Sequence, residues 1–539
     1  MSRIFTTKTT TADIGMKTFQ QGAAAVKVIY SNFAGRFKTD KTEMEHLRPI
    51  MLAGTGSDVG KSVLAAAMCR IFRQDGYTPA PFKAQNMALN SAVTPDGLEI
   101  GRAQAVQAEA AGVAPTADMN PVLLKPTGDM TSQVVLNGRA TGNSDAYSYY
   151  NGQGREELRR AACDAFDRLA ATYNPIVMEG AGSIAEINLS DRDIVNMPMA
   201  RHAGAAVVLV ADIDRGGVFA SAYGSIMLQG EADRRLIKGI IVNKFRGDMR
   251  LFDDGVKMME RICGVPVLGV VPYFDDIHIE AEDSVALAAK AKTADGDGRV
   301  QVGVVMLRHM SNFTDFDALE RDPRVHLFYT CDPHEAAKAD IIIVPGSKNT
   351  IADLGELRRN GMAEAVTEAR RRGKTVLGIC GGYQMLGAEV ADPDHVEGDT
   401  ERTAGLGLLP VRTRLDGTKT TRRTEFTIAA CGGARMTGYE IHNGVTSPTG
   451  DRPCTPLCTK ADGTTDGCIA DNKCMGTYMH GILDNAAFID FLLAPYATTE
   501  RLQAESYAEF KDRQYDRLAE FVRRHVDMEK VYGILGGKK

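Results

Sequence analysis

Ala53-Gly54-Thr55-Gly56-Ser57-Asp58-Val59-Gly60-Lys61-Ser62 follows a short apolar run that starts at Pro49 and leads into an amphipathic stretch, Val63 to Phe72. A glycine-rich turn between a buried strand and a helix is where backbone N–H groups and the helix dipole cradle phosphates. The spacing departs from G-x-x-x-x-G-K-S/T: five residues before Gly60 stands Thr55, so Gly54 comes one residue early and the loop is longer. In this reading Thr55, Gly56 and Gly60 shape an ATP-binding loop, Lys61 reaches the β- and γ-phosphates, and Ser62 holds Mg²⁺.

Outward from that loop, β-branched runs alternate with helix-length amphipathic stretches: Ile176 to Met178, Ala206 to Ala211, Ile237 to Val242 and Val267 to Val271. This is the rhythm of a parallel sheet with crossover helices, and it sets the fold class as α/β. Two of these runs end in polar residues, at the strand ends where ligands of open α/β sheets gather. Glu179 closes the first and is a candidate Mg²⁺ ligand, with capping of the next helix as its plainer role. Asn243 closes another and is a candidate to read a base edge, although Asn is equally common in turns.

Between Ala288 and Gly298 the chain turns polar and Gly-rich, which reads as a linker or an exposed loop. A second α/β series follows, with strands at Gln301 to Leu307, Ile341 to Val344 and Thr375 to Ile379 and a crossover helix from Thr350 to Arg372. Gly378-Ile379-Cys380-Gly381-Gly382 then puts one cysteine on a glycine-flanked strand-to-helix turn. Such an elbow projects a nucleophile, lowers a thiol pKa at the helix N-terminus and aims the next N–H, that of Gly381, at an oxyanion. Cys380 is therefore a candidate nucleophile, and His480 in Thr477-Tyr478-Met479-His480-Gly481 its candidate base. Tyr507, Phe510, Leu518, Phe521, Val522 and Val526 recur at helical spacing, predicting a C-terminal helix packed on the body.

The organisation expected is thus an extension over 1–43, dispensable for activity, an ATP-dependent domain over 46–287, a linker over 288–298, a second domain over 299–490 and a helical segment over 491–539. Hydrophobic content of 44% and charged content of 24% are those of an ordinary globular protein. Apolar runs such as Ala205 to Ala211 fall far short of the roughly 18 residues that cross a bilayer, so no membrane partner is expected. A net charge of -6 with scattered Lys and Arg gives no footprint for nucleic acid. Ten cysteines without a dense framework read as reduced thiols of a cytoplasmic protein. Cys454, Cys458, Cys468 and Cys474 lack the C-x-x-C pairs of a zinc site, and Asp471-Asn472-Lys473 reads as a hairpin turn.

The first half resembles the dethiobiotin synthetase-like branch of P-loop proteins, which share the longer loop, a Glu-Gly-Ala-Gly after a strand and an Asn for adenine. Within that branch, the blocks 82–91, 99–105, 119–126, 185–189, 212–219 and 243–248 are similar to those of the cobyric acid synthases, glutamine-dependent amidases of cobalamin biosynthesis. From Gln301 on, the chain resembles triad-type glutamine amidotransferases of flavodoxin-like fold, in the cobyrinate and cobyrate variant. The resemblance implies two doubly wound domains and, as substrates, ATP, L-glutamine and adenosylcobyrinic acid a,c-diamide, with the b, d, e and g carboxylates amidated in turn. It also implies an oxyanion N–H near Gly346, and a role for His442 that is structural. Triad enzymes usually carry an acid two residues after the histidine; here that position is Ile482, which implies a Cys380 and His480 dyad without an orienting carboxylate. An anionic corrinoid needs cationic and amide contacts, and Lys83, Gln85, Asn86, Arg102 and Arg215 are the candidates. Two rivals stand beside this reading, a cobyrinic acid a,c-diamide synthase and a P-loop switch ATPase with a vestigial second domain. A homodimer is left open.

Overall fold

A computed structural model of the chain describes residues 45–127, 131–145, 154–282, 287, 290–450, 452–496 and 505–536. The expected extension over 1–43 lies outside the described residues. Leu47–Lys539 forms one compact unit.

The first half is built on β1 (Ile50–Gly54), α1 (Lys61–Gln74), β2 (Ala80–Phe82), α2 (Arg102–Ala111), β3 (Val122–Pro126), β4 (Ile176–Glu179), β5 (Ala206–Asp212), β6 (Ile237–Phe245) and β7 (Val267–Pro272). All but β3 form one parallel sheet in the order β7-β6-β5-β1-β4-β2. Every residue of β1, β4 and β5 is buried, which is why these strands read as unbroken apolar runs rather than alternations. β3 belongs to a separate small sheet flanking this one.

The second half carries β8 (Val300–Val305), β9 (Val325–Thr330), β10 (Ile341–Val344), α3 (Thr350–Arg359), α4 (Met362–Arg371), β11 (Thr375–Ile379), α5 (Gly381–Leu386), β12 (Val411–Thr427), β13 (Arg435–Pro448), β14 (Cys468–Asp471) and β15 (Cys474–Thr477). Its sheet runs β9-β8-β10-β11-β15-β14, parallel as far as β15, with β14 folded back antiparallel across the Asp471-Asn472-Lys473 turn. The single crossover helix expected from Thr350 to Arg372 is instead two helices. Asn360 and Gly361 part them, with Gly361 at φ +81, a left-handed conformation that ends one helix and starts the next. Within 290–298, the Ala291 carbonyl accepts from Tyr329 N at 2.8 Å, and Asp295 N donates to the Gln301 side chain at 3.1 Å.

Two long elements return across the molecule. β12 and β13 pair from Val411–Pro448 to Thr427–Arg435 as a hairpin whose middle lies against the first half, where Arg423 Nε donates to the Val93 carbonyl at 2.6 Å. α6 (Tyr507–His525) opens on a Ser506/Glu509 capping box and is followed by α7 (Met528–Leu535); both pack on α1 and β7. Arg70 of α1 reaches Asp512 at 2.8 Å and Asp516 at 2.7 Å, and Phe72 meets Tyr532 edge to face.

Candidate active sites

β1 and β4 run side by side, so the turns that leave them share one edge of the first sheet. Gly60 caps α1 at φ +96, and a Cβ there would come within 2.1 Å of the Asn243 amide nitrogen; glycine is required on both counts. Lys61 Nζ bridges the two turns, donating to the Gly56 and Gly182 carbonyls at 2.9 Å each. Burial lowers its pKa to about 8 against the opposing pull of Glu179. Ser62 Oγ lies 2.8 Å from Glu179 Oε1 and 2.9 Å from Glu282 Oε2. Lys83 Nζ sits between the same two carboxylates at 2.8 and 3.1 Å. A hydroxyl and two carboxylates converging on one point are hard oxygen donors of the kind Mg²⁺ takes, so the residues present fit that ion. Glu282 escaped the sequence reading because no strand or motif leads to it.

These groups line a cleft of about 640 Å³, which meets a second cleft of about 450 Å³ at Met87, Ala181 and Gly182. Lys83 and Asn86 face the first cleft and Gln85 the second. Arg102 and Arg215 line neither. The Arg102 guanidinium is buried between the halves of the molecule, donating to the Ser91 carbonyl at 3.0 Å and the Tyr439 hydroxyl at 2.5 Å. Arg215 is exposed beside Asp58 and Asp212. Asn243 commits its amide to the Val59 carbonyl at 2.8 Å and so fastens the phosphate loop.

In the second sheet β11 and β15 are parallel neighbours, so Cys380 and His480 leave the same edge; Cys380 N donates to the Thr477 carbonyl at 2.8 Å. Cys380 sits at φ 51 and ψ -110, a strained conformation for a residue with a side chain. The glycines after it are steric necessities: a Cβ on Gly382 would come within 1.9 Å of the Val344 carbonyl oxygen. The same tight packing brings the Gly346-Ser347 loop against the elbow, 2.7 Å separating a Gly381 Cβ from Ser347 N and 3.4 Å a Gly346 Cβ from His480 Cε1. Gly346 therefore lies against the His480 ring, and Gly381 against the loop that Gly346 opens.

His480 has an orienting carboxylate after all. Asp315, on the turn Phe313–Phe316 that follows β8, places Oδ2 2.6 Å from His480 Nδ1, and its Oδ1 accepts from Gly481 N at 3.1 Å. Asp315 lies 165 residues upstream, so no local spacing betrays it. The usable signal was an acid wedged between Phe313 and Phe316, where a buried carboxylate must find a partner. Burial alone would lower the His480 pKa, but Asp315 and the Cys380 side chain, which hydrogen-bonds to it, outweigh this and raise it to about 10. Tyr439 stacks on the imidazole with ring centroids 5.2 Å apart. His442 is stacked on Tyr478 at 3.7 Å, with Nδ1 3.2 Å from the Gly444 carbonyl.

Comparison with known proteins fits both halves. Residues 50–285 match the CobQ/CobB/MinD/ParA nucleotide binding domain, and residues 301–488 the CobB/CobQ-like glutamine amidotransferase domain. A cobyric acid synthase of Bacteroides fragilis is 65% identical over 491 residues, covering 91% of this chain and 99% of that protein. The chain belongs to the cobyric acid synthase family. Other cobyric acid synthases, from Phocaeicola vulgatus and Syntrophobacter fumaroxidans, are 62% and 49% identical, covering 92% and 91% of this chain and 99% of each relative. Membership in this family makes the chain a glutamine-dependent amide ligase with an ATP-using P-loop domain, and sets aside the sister synthase and the switch ATPase.

Proposed function

We propose that this chain amidates the b, d, e and g carboxylates of adenosylcobyrinic acid a,c-diamide with ATP and with ammonia taken from glutamine. The observation that carries the reading is a buried Cys380, His480 and Asp315 constellation in the same chain as a phosphate-binding cleft lined by Lys61, Ser62, Lys83 and Glu179.

At the thiol site, Cys380 passes its proton to His480 and its sulfur attacks the glutamine carboxamide carbon, while the N–H groups beside Gly381 and Gly346 hold the oxyanion. His480, charged and oriented by Asp315, protonates the departing ammonia; water drawn in by the neutral imidazole then frees glutamate from the thioester. In the nucleotide cleft the loop from Thr55 to Gly60 cradles the triphosphate and Lys61 meets its β- and γ-oxygens. Ser62, Glu179 and Glu282 would hold Mg²⁺, which when bound neutralises charge on the phosphates. Lys83, beside them, steers a corrinoid carboxylate entering from the adjoining 450 Å³ cleft into line with the γ-phosphorus. Ammonia attacks the acyl phosphate that forms and displaces inorganic phosphate, leaving the amide. ATP and glutamine are both supplied by the cytoplasm, where we place the enzyme.

The test is mass gain on adenosylcobyrinic acid a,c-diamide with ATP, comparing the wild type with Cys380→Ala, each with glutamine and with ammonium. Amidation at all of b, d, e and g, lost in Cys380→Ala with glutamine and restored by ammonium, is the expected result. Folded protein that amidates nothing under any condition would overturn the reading.

A further inference from the structure

Two supports hold the His480 ring. One is the Asp315 carboxylate. The other is Tyr439 of β13, which exchanges both backbone hydrogen bonds with His480, at 3.1 and 2.9 Å, and lays its ring against the imidazole, 17° from parallel. Paired backbones fix where the two residues sit, but a phenol still turns about its side-chain bonds unless its far end is held. The far end is the hydroxyl, and it accepts from Arg102, the first residue of α2 in the nucleotide half. The ring that backs the catalytic base is thus set by a cation from the other half of the molecule.

Arg102 is itself only half fixed. Its Nη2 is spent on the Ser91 carbonyl and on Tyr439, while its Nε donates to nothing among the described residues. Nη1 stops 3.8 Å from Glu280 Oε2, too far for a hydrogen bond, and that oxygen accepts from nothing among the described residues although the Glu280 side chain is only 5% exposed. Glu280 Oε1 is taken by Lys511 and Tyr507 of α6, each at 3.3 Å. Two buried groups of opposite charge, each with an atom to spare and about 1 Å short of a charge-assisted hydrogen bond, make a joint that a small movement closes. The movement has a source. Glu280, Ala281 and Glu282 form one wall of the 640 Å³ cleft, and Glu282 holds the Ser62 hydroxyl and the Lys83 ammonium, which Mg²⁺ and an anionic ligand would claim. A ligand there makes Glu282 exchange partners, with Glu280 two residues back along the chain. Between them the Ala281 carbonyl accepts from Asn90 at 3.4 Å, and Asn90 accepts from Phe313 N at 3.2 Å, at the head of the turn that carries Asp315. One short segment of the cleft wall is therefore joined to both supports of the histidine.

We propose that Tyr439 is a positioning residue for His480 set from the nucleotide cleft, a ligand there closing Glu280 onto Arg102 and so fixing Tyr439 against the imidazole. The proposal rests on the glutaminase reading above. Its signature lies in kcat. Glu280, Arg102 and Tyr439 act on the base, and none of them lines the cavity at Cys380, so the KM for glutamine should hold while kcat responds. Coupling between two sites is commonly about 5- to 150-fold.

The experiment follows glutamine hydrolysis by the full chain with and without Mg²⁺, adenosylcobyrinic acid a,c-diamide and the ATP analogue that carries NH in place of the β,γ-bridging oxygen. The analogue is used at a concentration that inhibits ammonium-dependent amidation, which shows that the cleft is occupied. In the wild type these ligands should raise kcat about 5-fold or more at an unchanged KM for glutamine. Tyr439→Phe keeps the stacked ring and loses only the hydroxyl; Glu280→Gln keeps the shape and loses only the charge. Each should abolish the rise, and the double variant should do no more than either alone, because both lie on one line. A wild type whose kcat is the same with and without the ligands overturns the proposal. So does either variant that keeps the full rise, even where its melting temperature falls, since the group removed would then be structural alone. A wild type that amidates with ammonium but hydrolyses no glutamine would remove the glutaminase reading first, and this proposal with it.

Discussion

Asp315 decides how the histidine behaves. With its carboxylate 2.6 Å from Nδ1, the ring is held in one orientation and its pKa is raised to about 10, far above the ordinary value of about 6.5. Asp315→Asn keeps an acceptor for Gly481 N but removes the charge, so kcat for glutamine should fall by about 10²-fold or more while ammonium-dependent amidation holds. The basic limb of the glutaminase pH profile should also move to lower pH; an unmoved limb would show that Asp315 is merely structural. Stability follows the same linkage. Folding raises this pKa, so the contribution of His480 is complete below about pH 6.5 and fades as pH rises toward 10. Thermal melts of the wild type should drop across that interval, and those of Asp315→Asn should drop less. Cys380 and Lys61 were legible in the sequence because each needs a local backbone shape that glycines announce. Asp315 and Glu282 were not, because each arrives from a distant loop and owes its role to where the sheet edges bring it.

At the scale of elements, what the sequence made plain were the buried parallel strands, whose unbroken apolar runs have no other economical reading. Less plain was where helices break. Thr350 to Arg372 looks continuous because residues on both sides of Gly361 keep apolar positions inward, and only the left-handed φ of that glycine divides α3 from α4. The partner of α6 was equally hidden: periodicity shows that a helix has an apolar face but not what the face meets. Here it meets α1, the helix that carries Lys61 and Ser62, and Leu518 and Val522 are wholly buried against it. Leu518→Ala should therefore cost about 2–5 kcal/mol of stability in denaturant titrations. Because α6 braces α1 from behind, the KM for ATP should rise in the same variant. A loss below about 0.5 kcal/mol, the range of neutral surface changes, would mean that the helix is dispensable to the nucleotide half.

Across the whole molecule the two chemistries meet through a buried polar seam rather than a flexible tether. Asn312 accepts from Ser91 N at 2.9 Å while its amide nitrogen lies 3.4 Å from His480 Nε2, and Asn90 accepts from Phe313 N at 3.2 Å. Beside them Arg102 holds the Tyr439 hydroxyl, and Glu99 joins Lys125 of β3 to Lys419 of the β12–β13 hairpin. Burial would raise the Glu99 pKa, but the two ammoniums outweigh it and hold the carboxyl well below its usual range. Removing that one charge strands two lysines in a water-poor seam, and breaking a buried ion pair from one side costs about 3–5 kcal/mol. Glu99→Gln should accordingly melt at a lower temperature and split the single calorimetric transition expected of one compact unit into two, as the halves lose their joint. Function should part along the same line. Ammonium-dependent amidation, which needs only the nucleotide half, should fall less than glutamine-dependent amidation, and the glutamine consumed per amide formed should rise. A single transition at the wild-type temperature, with that ratio unchanged, would show that the seam is packing alone and that the two sites are joined by other means.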